Sequence, residues 1–233
     1  MRGKLTCFAL LAVAFLMFFP GCNLLTGPTK EVNEEQPITT PANTTFTAVS
    51  EGGSVPGNKT CGVAEFRRDG KVFHSAPGCR HNSRGFSVAA INTKTAELLE
   101  PVRVFDTYWG TRTGEAAQTM QAMITFLDRL PDGTLVLVAV SDEAGLTYGG
   151  DGSVVGVSAC LGDTPPGTIC CRPLPYSWVR DGKRALESLG ATQIQDYCYQ
   201  NSWSFIAVKG VGSKGENRTV MGEAVVSYTL TTR

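Results

Sequence analysis

Six consecutive apolar residues, Leu135 to Val140, constrain this chain more than any other feature. They follow a Pro131-Asp132-Gly133 turn and run into Asp142 and Glu143, within residues 134–143, TLVLVAVSDE. The run is too short for an ordinary helix and rich in β-branched valine, so it reads as a fully buried central strand. Its carboxyl end delivers Asp142 and Glu143 to a sheet rim, where a ligand site or a solvated acid pair are both ordinary outcomes. Adjacent residues on a strand point apart, which makes these two a poor pair of glycosidase carboxylates.

The 233 residues allow one domain with appendages, and 26 glycines point to a loop-rich, sheet-containing domain rather than a bundle. Formal net charge is zero, with no Lys/Arg run, which argues against nucleic acid as a partner. The chain carries no G-x-S-x-G, no H-E-x-x-H, no phosphate-cradling loop and no His placed with a nucleophile. Neither an enzyme nor a cofactor is therefore expected.

The first 22 residues read as an export signal: Arg2 and Lys4, then an apolar run over residues 5–19, then Pro20-Gly21-Cys22. Gly21-Cys22 admits a second reading, in which Cys22 is the lipidated first residue of a bacterial lipoprotein; Phe19 and Pro20 fit that pattern poorly. Both readings make the mature protein extracytoplasmic, either anchored to the envelope or secreted. Past the signal, Cys61, Cys79, Cys160, Cys170, Cys171 and Cys198 form an even set of six. In an exported chain three disulfides are the natural reading, with fifteen connectivities open. Zinc fits less well, because no C-x-x-C pair is present and His74 and His81 lie far from the later cysteines.

Residues 23–57 are rich in Pro, Thr, Glu, Asn and Gly and read as a disordered tether. The folded domain is placed at residues 58–233. Residues 63–66 and 72–74 flank an Asp69-Gly70 turn and predict a hairpin. Further strands are expected at 85–91, 98–108, 134–141, 203–208 and 224–230, and helices at 114–130 and 183–189. In VRVFDTY, Val102, Val104 and Asp106 share one face, so Asp106 is either buried there or just past the sheet edge. Residues 146–178 lose all periodicity, hold three cysteines, and read as a stapled surface excursion.

Several blocks then fall in a familiar order. Arg84-Gly85-Phe86 opens a strand, RVFDTY occupies 103–108, and FLDRLPDGTLVLVAVSDE spans the helix end and the central strand. RALESLGA follows at 184–191 and NSWSFIAVKG at 201–210. Over residues 61–210 the series resembles the ILEI/PANDER-type domain, named for interleukin-like inducer of epithelial–mesenchymal transition and pancreatic-derived factor. The resemblance implies an α+β, compact β-β-α domain, with two small sheets packed with helices and no catalytic activity. Members of that family occur as secreted cytokine-like proteins, within hyaluronan-handling cell-surface proteins, and as the stem domain of protein O-mannose N-acetylglucosaminyltransferase.

In that stem domain a terminal β-linked sugar is bound by the Arg of the R-G pair, the Asp after the central strand, and an Arg before D-x-W. The first two correspond here to Arg84 and Asp142. The third position is Gln200, since the chain reads Gln200-Asn201-Ser202-Trp203, and a charged planar donor is lost. The resulting expectation is a non-catalytic extracytoplasmic module that recognises carbohydrate through Arg84, Asp142 and Gln200. The alternative is a cytokine-like ligand, secreted or surface-displayed, whose receptor is a protein met by the cysteine-rich excursion.

Overall fold

The computed structural model describes residues 42–52, 61–78, 83–108, 113–142, 144–146, 176–197, 201–220 and 222–232. Along the chain come β1 (Ala42–Gly52), β2 (Val63–Arg68), β3 (Lys71–Pro77), β4 (Gly85–Ile91), β5 (Arg103–Phe105), α1 (Thr113–Arg129) and β6 (Leu135–Asp142). They are followed by α2 (Ser177–Ser188), a 3-10 turn (Gln193–Asp196), β7 (Ser202–Val208), β8 (Gly212–Thr219) and β9 (Glu223–Thr232).

The expected central strand is β6, and side-chain alternation explains why both of its faces are apolar. Val136, Val138 and Val140 share a core with Met120, Met123 and Phe126 of α1 and Leu186 of α2. Leu135, Leu137 and Ala139 share a second core with Phe46 of β1 and Phe66 of β2. The neighbours divide alike: Phe86 of β4 and Trp203 of β7 face the helices, whereas Ile91 and Ile206 face the other way. The result is three layers. Helices cover a central group β5-β4-β6-β7-β8, whose other face meets the antiparallel group β3-β2-β1-β9.

The two strand groups join into one nine-stranded network where the end of β1 runs parallel to β6. Glu51 lies beside Ser141 there, and Gly52 beside Asp142. Ser50 holds the junction: its Oγ donates to the Val140 carbonyl at 2.6 Å and accepts from the Trp203 amide at 2.9 Å. The Gly52 amide in turn donates to Ser202 Oγ at 2.8 Å.

Several expectations need correction. The tether assigned to residues 23–57 contains β1 at its end, paired with β2 on one edge and with β9 on the other. Phe46, Ala48 and Ser50 turn inward, while Thr45 and Thr47 meet Thr229 and Ser227 across β9 through hydroxyl pairs. Burial against strands distant in sequence outweighs the polar composition. Strand β8 was not foreseen at all. Helix α2 starts at Ser177, within the interval 146–178 given to the excursion; residues 147–175 lie outside the described residues. The 98–108 strand contracts to β5, with Leu98 making only an isolated bridge to Ile91. The Asp69-Gly70 hairpin forms as expected, with φ of 50° and 77° at its two turn residues.

Candidate functional site

Five strand ends meet at one rim of the central group. Strand β4 begins there, β6 and β1 end there, β7 begins there and β8 ends there. The Arg84-Gly85 pair opens β4, and geometry requires its glycine. Gly85 has φ 93°, and a Cβ on it would sit 2.4 Å from the Phe105 carbonyl and 2.7 Å from the Thr107 amide. The chain leaving β5 therefore lies flat on Gly85. Thr107 fixes it by donating to the Ala144 carbonyl at 2.7 Å. Ser141 Oγ donates to the Ser83 carbonyl at 2.5 Å and ties the Arg84 turn to the end of β6.

Asp142 is the last residue of β6 and takes φ 60°, a left-handed conformation that Asp and Asn tolerate better than other side chains. Its Cβ packs on the backbone of Gly78, where an added methyl would come within 2.5 Å. Burial raises its pKa to about 6, with Asp106 adding to the rise and Arg84 opposing it. Asp106 itself lies just past β5, the second of its two expected placements, and its Oδ1 accepts from the Tyr108 amide at 3.2 Å. The Arg84 guanidinium lies 3.9 Å above the Tyr108 ring. Arg84 and Asp142 make no direct ion pair, and the buried Arg84 Nε has no acceptor among the described residues.

The structure thus brings Arg84 and Asp142 together, with Asp106 and Tyr108 beside them. Gln200 lies outside the described residues, as do Cys22, Cys79, Cys160, Cys170, Cys171, Cys198 and Glu143. Trp203 is fully buried core, as expected. One expectation fails: His74 Nε2 lies 3.0 Å from Ser87 Oγ, so a histidine does meet a hydroxyl. Ser87 is completely buried in the middle of β4, however, where no substrate reaches it. Burial pushes the His74 imidazole below its ordinary value, so the pair fits a neutral hydrogen bond between the sheets. Among the described residues no group of three or more His, Cys, Asp and Glu could hold a metal. None of the described helices is long and apolar enough to cross a membrane.

The linkage of Asp142 gives a testable outcome. Its folded pKa lies above the ordinary 3.8, so this group favours the fold when protonated, and that contribution is lost as pH rises through about 6. Asp142→Asn keeps the shape, tolerates the left-handed backbone and removes the charge. It is expected to stabilise the protein at pH 7.5 by about 1 kcal/mol, after allowance for partial exposure, with the gain vanishing near pH 4. Urea unfolding at both pH values checks this; an unchanged or negative difference at pH 7.5 contradicts it. Asp142→Ala is a poorer control, because it adds left-handed strain to the loss of the carboxylate.

A family model described as "Interleukin-like EMT inducer" matches residues 84–153 and 161–211, together more than half of the chain. The chain belongs to the interleukin-like EMT inducer family. Its first matched residue is Arg84, and the matched segments contain Gly85, Asp106, Thr107, Tyr108 and Asp142 but not Gly78 or Ser83. Protein FAM3C of Xenopus laevis is 26% identical over 170 residues, covering 72% of this chain and 54% of the frog protein. Protein FAM3C of Bos taurus is 28% identical over 138 residues, covering 59% and 44% respectively. The chain thus spans about half the length of the curated relatives it matches. In this member of the interleukin-like EMT inducer family, close backbone contact at Gly85 accounts for the glycine of the R-G pair, and Asp142 ends the central strand in a left-handed conformation.

Proposed function

We propose that this chain is a non-catalytic, exported binding module of cytokine-like type whose partner is a protein. The observation that carries the proposal is membership of a family described as interleukin-like inducers. The rim supports it, since Arg84, Asp142 and Asp106 put charges of both signs beside a half-buried aromatic ring, the mixture found at specific interfaces. Export through residues 1–22 belongs to the same proposal, with Cys22 as lipid anchor or as the end of a cleaved signal. So does a three-disulfide framework, of whose cysteines only Cys61 lies among the described residues.

A second reading is retained for one specific observation. Arg84 offers an unsatisfied Nε–H next to a carboxylate, and directional donors and acceptors of this kind suit the hydroxyls of a terminal sugar, with Gln200 as third contact. The test applies labelled full chain side by side to arrayed extracellular proteins and arrayed glycans. Saturable binding to protein spots that survives enzymatic deglycosylation is the expected result. Binding confined to glycans replaces the first reading with the second.

A further inference from the structure

The described residues contain three buried side-chain nitrogen or oxygen atoms without a hydrogen-bond partner: Arg84 Nε, Arg218 Nε and Ser204 Oγ. Two of the three are guanidinium nitrogens. An arginine cannot shed its charge, and a buried N–H with no acceptor is costly, so each such group asks for an acceptor that none of the described residues supplies. Four other arginines, of which Arg103 and Arg129 are exposed, behave differently. Arg67, Arg68, Arg103 and Arg129 each meet a glutamate within 3.1 Å, whereas Arg84 and Arg218 form no ion pair among the described residues.

Strand register places these two exceptions on the same rim. Arg218 pairs with Trp203 near the end of β8, and the Trp203 side chain lies in the helix-side core, so Arg218 also sits on the helix side. Arg84 immediately precedes β4 at that end, and Asp142 ends β6 beside it. Arg218 is held in place by one bond, from its Nη1 to Oδ1 of the fully buried Asn201 at 3.0 Å, which leaves its Nε unused. From β4 across β6, the end of β1 and β7 to β8 there are four strand steps, or about 20 Å at the usual spacing.

We propose that Arg218, positioned by Asn201, is a second cationic subsite on the Arg84 rim, and that the two guanidiniums clamp carboxylates of one extended acidic segment of the protein partner. A 20 Å span corresponds to about six residues of extended chain, so the segment carries acidic side chains near both of its ends. The guanidinium fork matches a carboxylate in two-point geometry, which a lysine at either position does not reproduce. The proposal rests on the reading of the rim as a protein-binding surface.

The test uses blocked hexapeptides with glutamate at positions one and six, or at only one of them, titrated into the full chain. The Nε–H resonances of all arginines are followed by NMR. Saturable shifts at Arg84 and Arg218 together are expected, with the two-glutamate peptide about tenfold or more tighter than either single one. Arg218→Gln is expected to reduce the two-glutamate peptide to single-glutamate affinity, and Arg218→Lys to fall between. The single-glutamate peptides keep the comparison valid even if a variant folds poorly. A response at Arg84 alone overturns the second subsite and leaves the rim as a binding surface. Equal affinity for all peptides, or shifts confined to Arg103 and Arg129, overturns the clamp. Silence at every arginine overturns the acidic segment as ligand, while the protein array decides separately whether a protein partner exists.

Discussion

A chain that begins at Cys61 is expected not to fold, whereas one that begins shortly before Ala42 is expected to fold. The difference is β1. Among the described residues strand β9 has no ladder partner other than β1, and β2 loses its inner neighbour when β1 is removed. Phe46, which is 1% exposed, fills the core between the strand groups, and its removal alone costs about 3–5 kcal/mol by analogy with other buried aromatics. Loss of Ser50 orphans the Trp203 amide and the Val140 carbonyl inside the protein, about 1–3 kcal/mol for each group. Together these are comparable to the whole stability of a typical domain, about 5–15 kcal/mol, before the lost ladders are considered. Near-ultraviolet circular dichroism and cooperative urea unfolding distinguish the two chains. A cooperative transition for the chain starting at Cys61 makes β1 an appendage.

The second large effect is expected at Glu216, an exposed-looking acid in the polar strand β8. Its carboxylate accepts from Trp203 Nε1 at 2.9 Å, from the Thr192 amide at 2.7 Å and hydroxyl at 3.0 Å, and from the Gln193 amide at 2.8 Å. These bonds fasten the segment after α2 to the sheet and satisfy the indole of Trp203, the largest fully buried side chain among the described residues. Glu216→Ala is expected to cost about 3 kcal/mol, since charge-assisted bonds are the strong ones and their losses do not add fully. For a domain of this size that lowers Tm by roughly 6–12 °C. Glu216→Gln loses less, because Oε1 still serves the indole and the Gln193 amide, while its NH2 meets the Thr192 donors without an acceptor. A change below 1 kcal/mol in the alanine variant contradicts the clasp.

Sequence reading recovers elements whose signal is local and fails where pairing partners are distant. The VLVAV run of β6, the 17-residue α1 with its buried Met120 and Met123, and the Asp-Gly hairpin carry their signals within a few residues. Strand β1 does not: its alternation is written in Thr, Ala and Ser with a single Phe, and its burial comes from β2 and from β9 some 180 residues on. Strand β8 reads GSKGENRT and has no apolar residue at all, so hydropathy says nothing about it. The site divides the same way. Arg84 and Asp142 are legible as motif residues, whereas Tyr108 under the guanidinium and Arg218 beside Asn201 follow from register. The His74–Ser87 pair was missed because its members lie thirteen residues apart on β3 and β4, which do not pair with each other.

Asp142 also links stability to function. A carboxylate whose ionisation is costly at neutral pH is a burden on the fold, and the gain expected for Asp142→Asn measures that burden. Such a group is useful where a cationic or hydrogen-bonding partner settles on it, which is the role assigned to the rim.

The most direct measurement is affinity on the arrayed-protein screen for the full chain and for its Arg84→Gln and Asp142→Asn variants. The variants are compared after their folds have been matched by circular dichroism. The account predicts saturable binding that each substitution weakens at least about tenfold, or 1.4 kcal/mol, with Asp142→Asn weaker in binding although more stable. Binding of undiminished strength in both variants would place the partner surface elsewhere and contradict the rim as the functional site.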